Sequence, residues 1–387
     1  MTDSPARILY VSPISTLAGG ETKILFDLIS NLDRYRFQPH IVCPEPGSLP
    51  DLCRKHGIET VFVPSIPPSG GRARNNLVYL IPDVNALYGI INRFHIDLVH
   101  ANTARVAYHS GLAARLKAIP HITHVHEIYN LPFRSKIKAW FLNQVSDRIL
   151  VESNATRQII ISRLSSLARK TEVVYPGLAP MPSYIRDQVL KIRAEFGMED
   201  LFPLLAVVGA ILPLKGQEIV IRALPGIIER YPHTRCLLVG SPLGKVGEEY
   251  QAHLIELARQ LGVTDHLVLT GFRKDVTLIM ASIDMLLHTP ILPDALPHVL
   301  LEASHYKALI VASDIGGISE IVKDGINGCL VPPGQPDILA QAVRMILDNP
   351  TQASKMRIAA GENMENQFSM AKYINHVQAI YQELLEC

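Results

Sequence analysis

The chain has 387 residues, 48% of them hydrophobic and 19% charged; this excludes a disordered chain and suits two α/β domains better than one. A formal net charge of +1 hides an asymmetry, since residues 1–180 carry +7 and the remainder −6, so the halves are expected to meet different partners. The five cysteines (Cys43, Cys53, Cys236, Cys329, Cys387) show no CxxC or metal-ligand spacing, the start MTDSPARILYVSP has no secretory h-region, and no apolar run approaches the roughly 18–20 residues of a membrane span. A cytoplasmic protein with incidental thiols is the resulting expectation.

In chain order, RILYVSP (7–13) predicts a first strand, and Gly19-Gly20 turns the chain into a helix over ETKILFDLISNL (21–32). QPHIVCP (38–44), TVFVP (60–64), DLVHAN (97–102), HITHVHE (121–127) and RILVESN (148–154) read as further strands, with helices over 104–118 and 135–146. None alternates strictly, as expected of parallel strands covered on both faces. After the proline-rich YPGLAPMPS (175–183), a second series begins. Its strands are LLAVVGA (204–210), RCLLVGS (235–241), HLVLTGF (266–272), DMLLHTP (284–290), ALIVASD (308–314) and GCLVP (328–332), with helices near 216–230, 248–261, 297–305 and 335–348. The βαβ repetition predicts an α/β fold of two Rossmann-like domains, divided near residue 180, with ligand sites at strand C-termini and in the cleft between the domains.

Three motifs carry chemistry. Gly19-Gly20, in LAGGET, lets a phosphate approach the backbone at a helix start, although the GxGxxG of a dinucleotide fingerprint is missing. In VVGAILPLKGQEIVI (207–221) a strand ends in Gly209, and Lys215-Gly216 opens a helix, placing a cation where a diphosphate would lie. In PDALPHVLLEASHYKALIVASDIGGISEIV (293–322) Asp294 and Glu302 stand eight residues apart across a loop–helix junction. Pro297 suits the first helical turn. A carboxylate at Glu302 can accept both hydroxyls of a ribose, and Asp294 can bind sugar hydroxyls. As a plain helix-dipole acid, Asp294 would be unremarked, but Glu302 inside VLLEA would not.

These segments, with DLVHANT (97–103), THVHE (123–127), ILVESNATRQII (149–160), TGF (270–272) and the stretch from Asp294 to Val331, resemble the family 4 retaining glycosyltransferases of the GT-B fold. The resemblance implies two facing Rossmann-like domains: an acceptor-side domain, 1–180, on which a C-terminal helix (366–387) packs back, and a nucleotide-sugar domain, 181–365. It implies Glu302 on the donor ribose, Asp294 on the donor sugar, Lys215 on the diphosphate, and His126 near the reacting sugar. Gly19 and Gly20 approach the diphosphate, and Gly209, Gly216, Phe272, Arg273 and Leu296 complete the donor site. No cofactor is expected, since the nucleotide-sugar is a co-substrate. No metal is expected either: His100, His121, His124 and His126 cluster, but no cysteine or carboxylate has ligand spacing to them.

Two departures from the family pattern stand out. Ala210 occupies the place of the usual arginine beside the lysine-glycine pair, and the first acid is Asp294 rather than Glu. The first motivates an alternative, a non-catalytic or partner-dependent glycosyltransferase-like subunit; a nucleotide-sugar epimerase of the same fold is a second. On the acceptor side, SKIKAWFLNQV (135–145) lies in a region, 134–170, with eight basic side chains against Asp147 and Glu152. It reads either as a docking surface for an anionic membrane and a sugar or lipid-linked acceptor, at the inner face of the membrane, or as a solvated helix over a core. No basic-aromatic module for nucleic acid is present.

Overall fold

A computed structural model describes residues 4–17, 19–64, 66, 76–126, 128 and 136–386. Ala18 of LAGGET, Glu127 of THVHE, and Arg134 and Ser135 of the basic region lie outside the described residues. The chain divides into two compact units, Met1–Gly177 with Met370–Cys387, and Leu178–Ser369.

Unit 1 is built on strands β1 (Ala6–Val11), β2 (Phe37–Cys43), β3 (Glu59–Phe62), β4 (Leu98–Ala101), β5 (His121–Val125), β6 (Arg148–Val151) and β7 (Thr171–Val173). They form a seven-stranded sheet in the order β3-β2-β1-β4-β5-β6-β7, every pair parallel. Alternate residues along each strand serve the two faces, as the pleat requires. Leu9, Val11, Val99, Ile149 and Val151 join one core, while Ile8, Tyr10, Leu98, Ile122 and Leu150 join the other. The second core is closed by Tyr373, Ile374, Val377, Ile380, Tyr381 and Leu384 from the helix Met370–Glu386. β7 is absent from the strands read in the sequence, because its three residues include Thr171 and Glu172 and so form no apolar run, unlike the equally short CLV of Cys329–Val331.

Unit 2 carries β8 (Leu204–Val208), β9 (Arg235–Val239), β10 (Leu267–Gly271), β11 (Met285–His288), β12 (Leu309–Ser313) and β13 (Cys329–Val331). They make a six-stranded parallel sheet in the order β10-β9-β8-β11-β12-β13. Helix Gln217–Ile228 shows how the layer forms: Val220, Ile221, Leu224 and Ile227 recur at helical spacing and bury one stripe against the sheet. In both sheets the chain starts at a central strand, winds outward, then returns to the other side of that strand. The strand order therefore reverses between β1 and β4 and between β8 and β11. Loops leaving the C-terminal ends there diverge to opposite faces and leave a crevice, the favoured ligand position of open α/β sheets.

Candidate active site

In unit 2 the predicted donor-site residues gather beyond the strand C-termini. β8 and β9 run directly into Gly209 and Gly240, and β10 ends in Gly271, with φ of 145°, 147° and 67°. A Cβ on Gly240 would stand 2.0 Å from the carbonyl oxygen of Gly209, so these strand ends approach backbone to backbone. The loop after β8 closes through a short turn, Pro213–Lys215, into Gly216 at φ 67°. A Cβ on Gly216 would lie 1.9 Å from the carbonyl oxygen of Thr289, and two hydrogen bonds latch the same contact. Thr289 Oγ1 donates to the Gly216 carbonyl at 3.0 Å, and the Ile291 amide donates to the Leu214 carbonyl at 3.1 Å. Only glycine fits this left-handed, crowded position.

The latch brings together two residues that are 79 positions apart in sequence: Lys215 Nζ lies 3.2 Å from Asp294 Oδ2. Asp294 is held from its other side, where the Gly317 amide donates to its carbonyl at 2.9 Å. Gly316, at φ 65°, would place a Cβ 2.3 Å from that carbonyl, which accounts for the first glycine of the pair in DIGGISE. Beneath the pair, burial followed by the Lys215 charge pushes the His288 imidazole down to about 4, with Asp294 opposing. His288 is therefore neutral there, and Lys215 supplies the positive charge. The Ala210 carbonyl accepts from Gln217 Nε2 at 2.9 Å.

Glu302 sits in helix His298–His305, half-buried between the buried Leu301 and Ala303. Pro297 is the N-cap, one position before the first turn where the sequence put it, a shift within the usual spread of helix ends. The side chains of Ala295 and Leu296 are buried. Phe272 is exposed, whereas the Arg273 guanidinium is taken up by Asp275 (2.7 Å) and Glu195 (3.0 Å), carboxylates that raise its pKa further.

In unit 1, Gly19 caps helix Gly20–Ser30 in an extended conformation. A Cβ on Gly19 or Gly20 would meet nothing within 4 Å, so neither glycine is imposed by packing. His126 follows β5 and is nearly buried, its side chain 4% exposed. Its Nδ1 lies 2.6 Å from Glu152 Oε1, just past β6, and its Nε2 lies 3.1 Å from Asn102 Oδ1, just past β4. Sequence spacing gave no reason to join these three. The available signal was that each is among the first polar residues beyond a parallel strand, in HANT, HVHE and VESN. Glu152 also supplies the carboxylate that histidine spacing did not reveal: potential ligand atoms of His124, His126 and Glu152 lie within 4.8 Å of one another. Here His126 and Glu152 are hydrogen-bonded to each other. Burial lowers His100 and His121 to about 3, and moves His124 the same way, so these neighbours are neutral.

Residues 18–180 match the model of Glycosyltransferase Family 4, and residues 189–366 match that of Glycosyl transferases group 1. The chain belongs to the family 4, group 1 glycosyltransferases. Among relatives of this glycosyltransferase, the D-inositol 3-phosphate glycosyltransferase of Kribbella flavida is 33% identical over 233 residues, 57% of this chain and 53% of that one. The match thus spans about half the length of that relative. The UDP-Gal:alpha-D-GlcNAc-diphosphoundecaprenol alpha-1,3-galactosyltransferase of Escherichia coli is 23% identical and aligns over 99% of this chain and 98% of its own. Among solved structures, a glycosyltransferase from Rickettsia africae superposes with a TM-score of 0.86 at 21% identity, covering 98% of this chain and 99% of that one. The Anabaena protein HepE in complex with UDP gives 0.82 at 22% identity, covering 98% and 100%. These likenesses establish the GT-B fold.

Proposed function

We propose that this glycosyltransferase moves a hexosyl group, with retention at the anomeric carbon, from a uridine diphosphate sugar to a lipid-linked saccharide during glycoconjugate assembly. The observation that carries this reading is the Lys215–Asp294 pair, held by two glycine contacts one helix entry from Glu302. The uridine donor is supported by HepE, solved with UDP and with UDP-glucose, and the lipid-linked acceptor by the Escherichia coli relative.

In this reading Glu302 accepts both ribose hydroxyls, and Asp294 orients the donor sugar. Lys215, with the backbone amides ahead of helix His298–His305, takes the negative charge that grows on the leaving diphosphate. Positive charge grows meanwhile on the anomeric carbon, as in glycoside cleavage. Gly19 and Gly20 leave backbone open to the diphosphate from unit 1, and His126 contacts the transferred sugar. The chemistry asks for no metal.

The test is nucleotide release from a panel of nucleotide-sugars, with and without a lipid extract as acceptor source. Release with one donor class is expected, and Glu302→Ala should raise the donor KM about a hundredfold or more, because charge-assisted hydrogen bonds to ribose contribute roughly 1.5–3 kcal/mol each. Ala210, in place of the family arginine, favours a second reading, a subunit that binds nucleotide without turnover. Silence with every donor and acceptor would select it.

Membrane docking belongs to the same proposal. On helix Lys136–Val145, Ile137 is 78% and Trp140 54% exposed, beside the exposed Lys136, while Ala139 and Leu142 are buried in the core. No helix among the described residues is long and apolar enough to cross a membrane. Cosedimentation with phosphatidylglycerol-containing vesicles is expected and should fall several-fold in an Ile137→Glu, Trp140→Glu double variant. Equal recovery with neutral vesicles, or no loss in the variant, would remove this surface from the reading.

A further inference from the structure

Strand β11 ends in His288, at the crevice where the strand order of unit 2 reverses between β8 and β11. Met285 and Leu287 pack into the core shared with helix Gln217–Ile228, so by the pleat Leu286 and His288 face the other layer. Right-handed crossovers put helix His298–His305, with Glu302, in that layer, because β11 winds to β12 in the opposite direction from β8 to β9. The next residue fixes the ring's place along the strand: Thr289 is latched to Gly216, beside Lys215.

His288 is only 4% exposed, yet among the described residues no hydrogen bond reaches either ring nitrogen. Nε2 is sealed from solvent, whereas Nδ1 is not. The sealed nitrogen decides where the proton sits. A neutral ring carries one N–H, and on Nε2 it would be a buried donor without an acceptor, a rare feature of native interiors. With Nε2 bare, the N–H is on Nδ1; a charged ring has an N–H there as well, so the donor is present in either charge state. Lys215 and Asp294 are the charged groups that act on the ring, and neither bonds to it. A donor left open at a ligand crevice is completed by a partner from outside the chain.

We propose that His288 is a further donor-site residue, whose Nδ1–H binds a phosphoryl oxygen of the nucleotide diphosphate beside Lys215. The inference deepens the donor reading above and rests on it. Asp294, an acceptor, serves the hydroxyls of the donor sugar, whereas the Lys215 charge draws the diphosphate, whose oxygens need donors. An imidazole N–H belongs to the second set. It adds a hydrogen bond to the leaving group without a second charge, in a loop where Ala210 leaves Lys215 as the cation.

The experiment pairs histidine ring-nitrogen NMR with nucleotide binding, both on the full-length chain. With His288→Gln to assign the signal, Nδ1 is expected to carry a proton in the free protein, and UDP should shift its resonance. In His288→Leu the Kd for UDP should rise about ten- to hundredfold, the scale of one hydrogen bond to a charged group, while that for uridine stays within about twofold. His288→Gln, whose amide keeps an N–H, should recover part of the loss. A bare Nδ1 in the free protein, or UDP and uridine weakened alike in His288→Leu, would overturn the proposal. So would a loss seen with UDP-glucose and not with UDP, which would move the contact to the sugar. If His288→Leu does not fold, the Nδ1 shift in the unaltered chain decides. UDP binding with an unmoved Nδ1 would fault this inference alone; no UDP binding by the unaltered chain would fault the donor reading and take this inference with it.

Discussion

Replacing Lys215 with alanine is expected to lower kcat about 10²–10³-fold, the effect of removing one charge-stabilising donor from a preorganised site. Two features push the loss toward the upper end. Ala210 leaves no arginine on this loop to take over, and Asp294 Oδ2, now 3.2 Å from Lys215 Nζ, would be left as an uncompensated carboxylate close to the diphosphate. Single-turnover nucleotide release measures this directly. Asp294→Asn in the Lys215→Ala background should restore part of the rate, since the stranded charge is gone. The fold should survive, because Lys215 and Asp294 are each partly exposed, at 29% and 25%, and the glycine latch at Gly216 does not use the lysine side chain. Loss of the lysine charge should also let the His288 imidazole rise from about 4, an independent readout of the local field. A variant with unchanged kcat would exclude the diphosphate role.

Removing helix Met370–Glu386 is expected to unfold unit 1 rather than trim it. The helix buries Tyr373, Ile374, Val377, Ile380, Tyr381 and Leu384 in the core against β1, β4, β5 and β6. At about 1.5–3 kcal/mol for each large apolar side chain, their loss is on the order of 10 kcal/mol, comparable with the whole 5–15 kcal/mol stability of an ordinary domain. The loss is polar as well. Tyr381 Oη is 2.8 Å from Tyr10 Oη and 2.6 Å from His100 Nδ1, so truncation strands two buried groups. Trp140 is the only tryptophan and lies in unit 1, so its fluorescence reports that unit's unfolding selectively. In a chain ending at residue 369 the cooperative tryptophan transition should vanish. A midpoint within a few degrees of the full chain would refute the assignment of this helix to the core. The milder Tyr381→Ala should cost about 3–5 kcal/mol, as large aromatic truncations in cores do.

The features that the sequence determined by itself are local ones. Short β-branched runs such as LIVAS of β12 are buried along their whole length, so their composition alone identifies strands covered on both faces. Gly216 and Gly316 require left-handed backbone within one residue of a turn, and Asp294 and Glu302 are fixed to each other by a single loop and little more than one helical turn. Such signals need only a few neighbouring residues, which is why the two doubly wound sheets and the family were legible. Tertiary structure decided whatever depends on strand order. Asn102, His126 and Glu152 are 24 and 26 residues apart, and they meet only because β4, β5 and β6 lie side by side in register. The same holds for Lys215 and Asp294, joined across the neighbouring strands β8 and β11. Helix Met370–Glu386 shows the limit most plainly: its apolar stripe announces that it must be covered, but hydrophobic burial is non-directional, so the choice of Tyr10, His100 and Ile122 as its partners was made by packing alone.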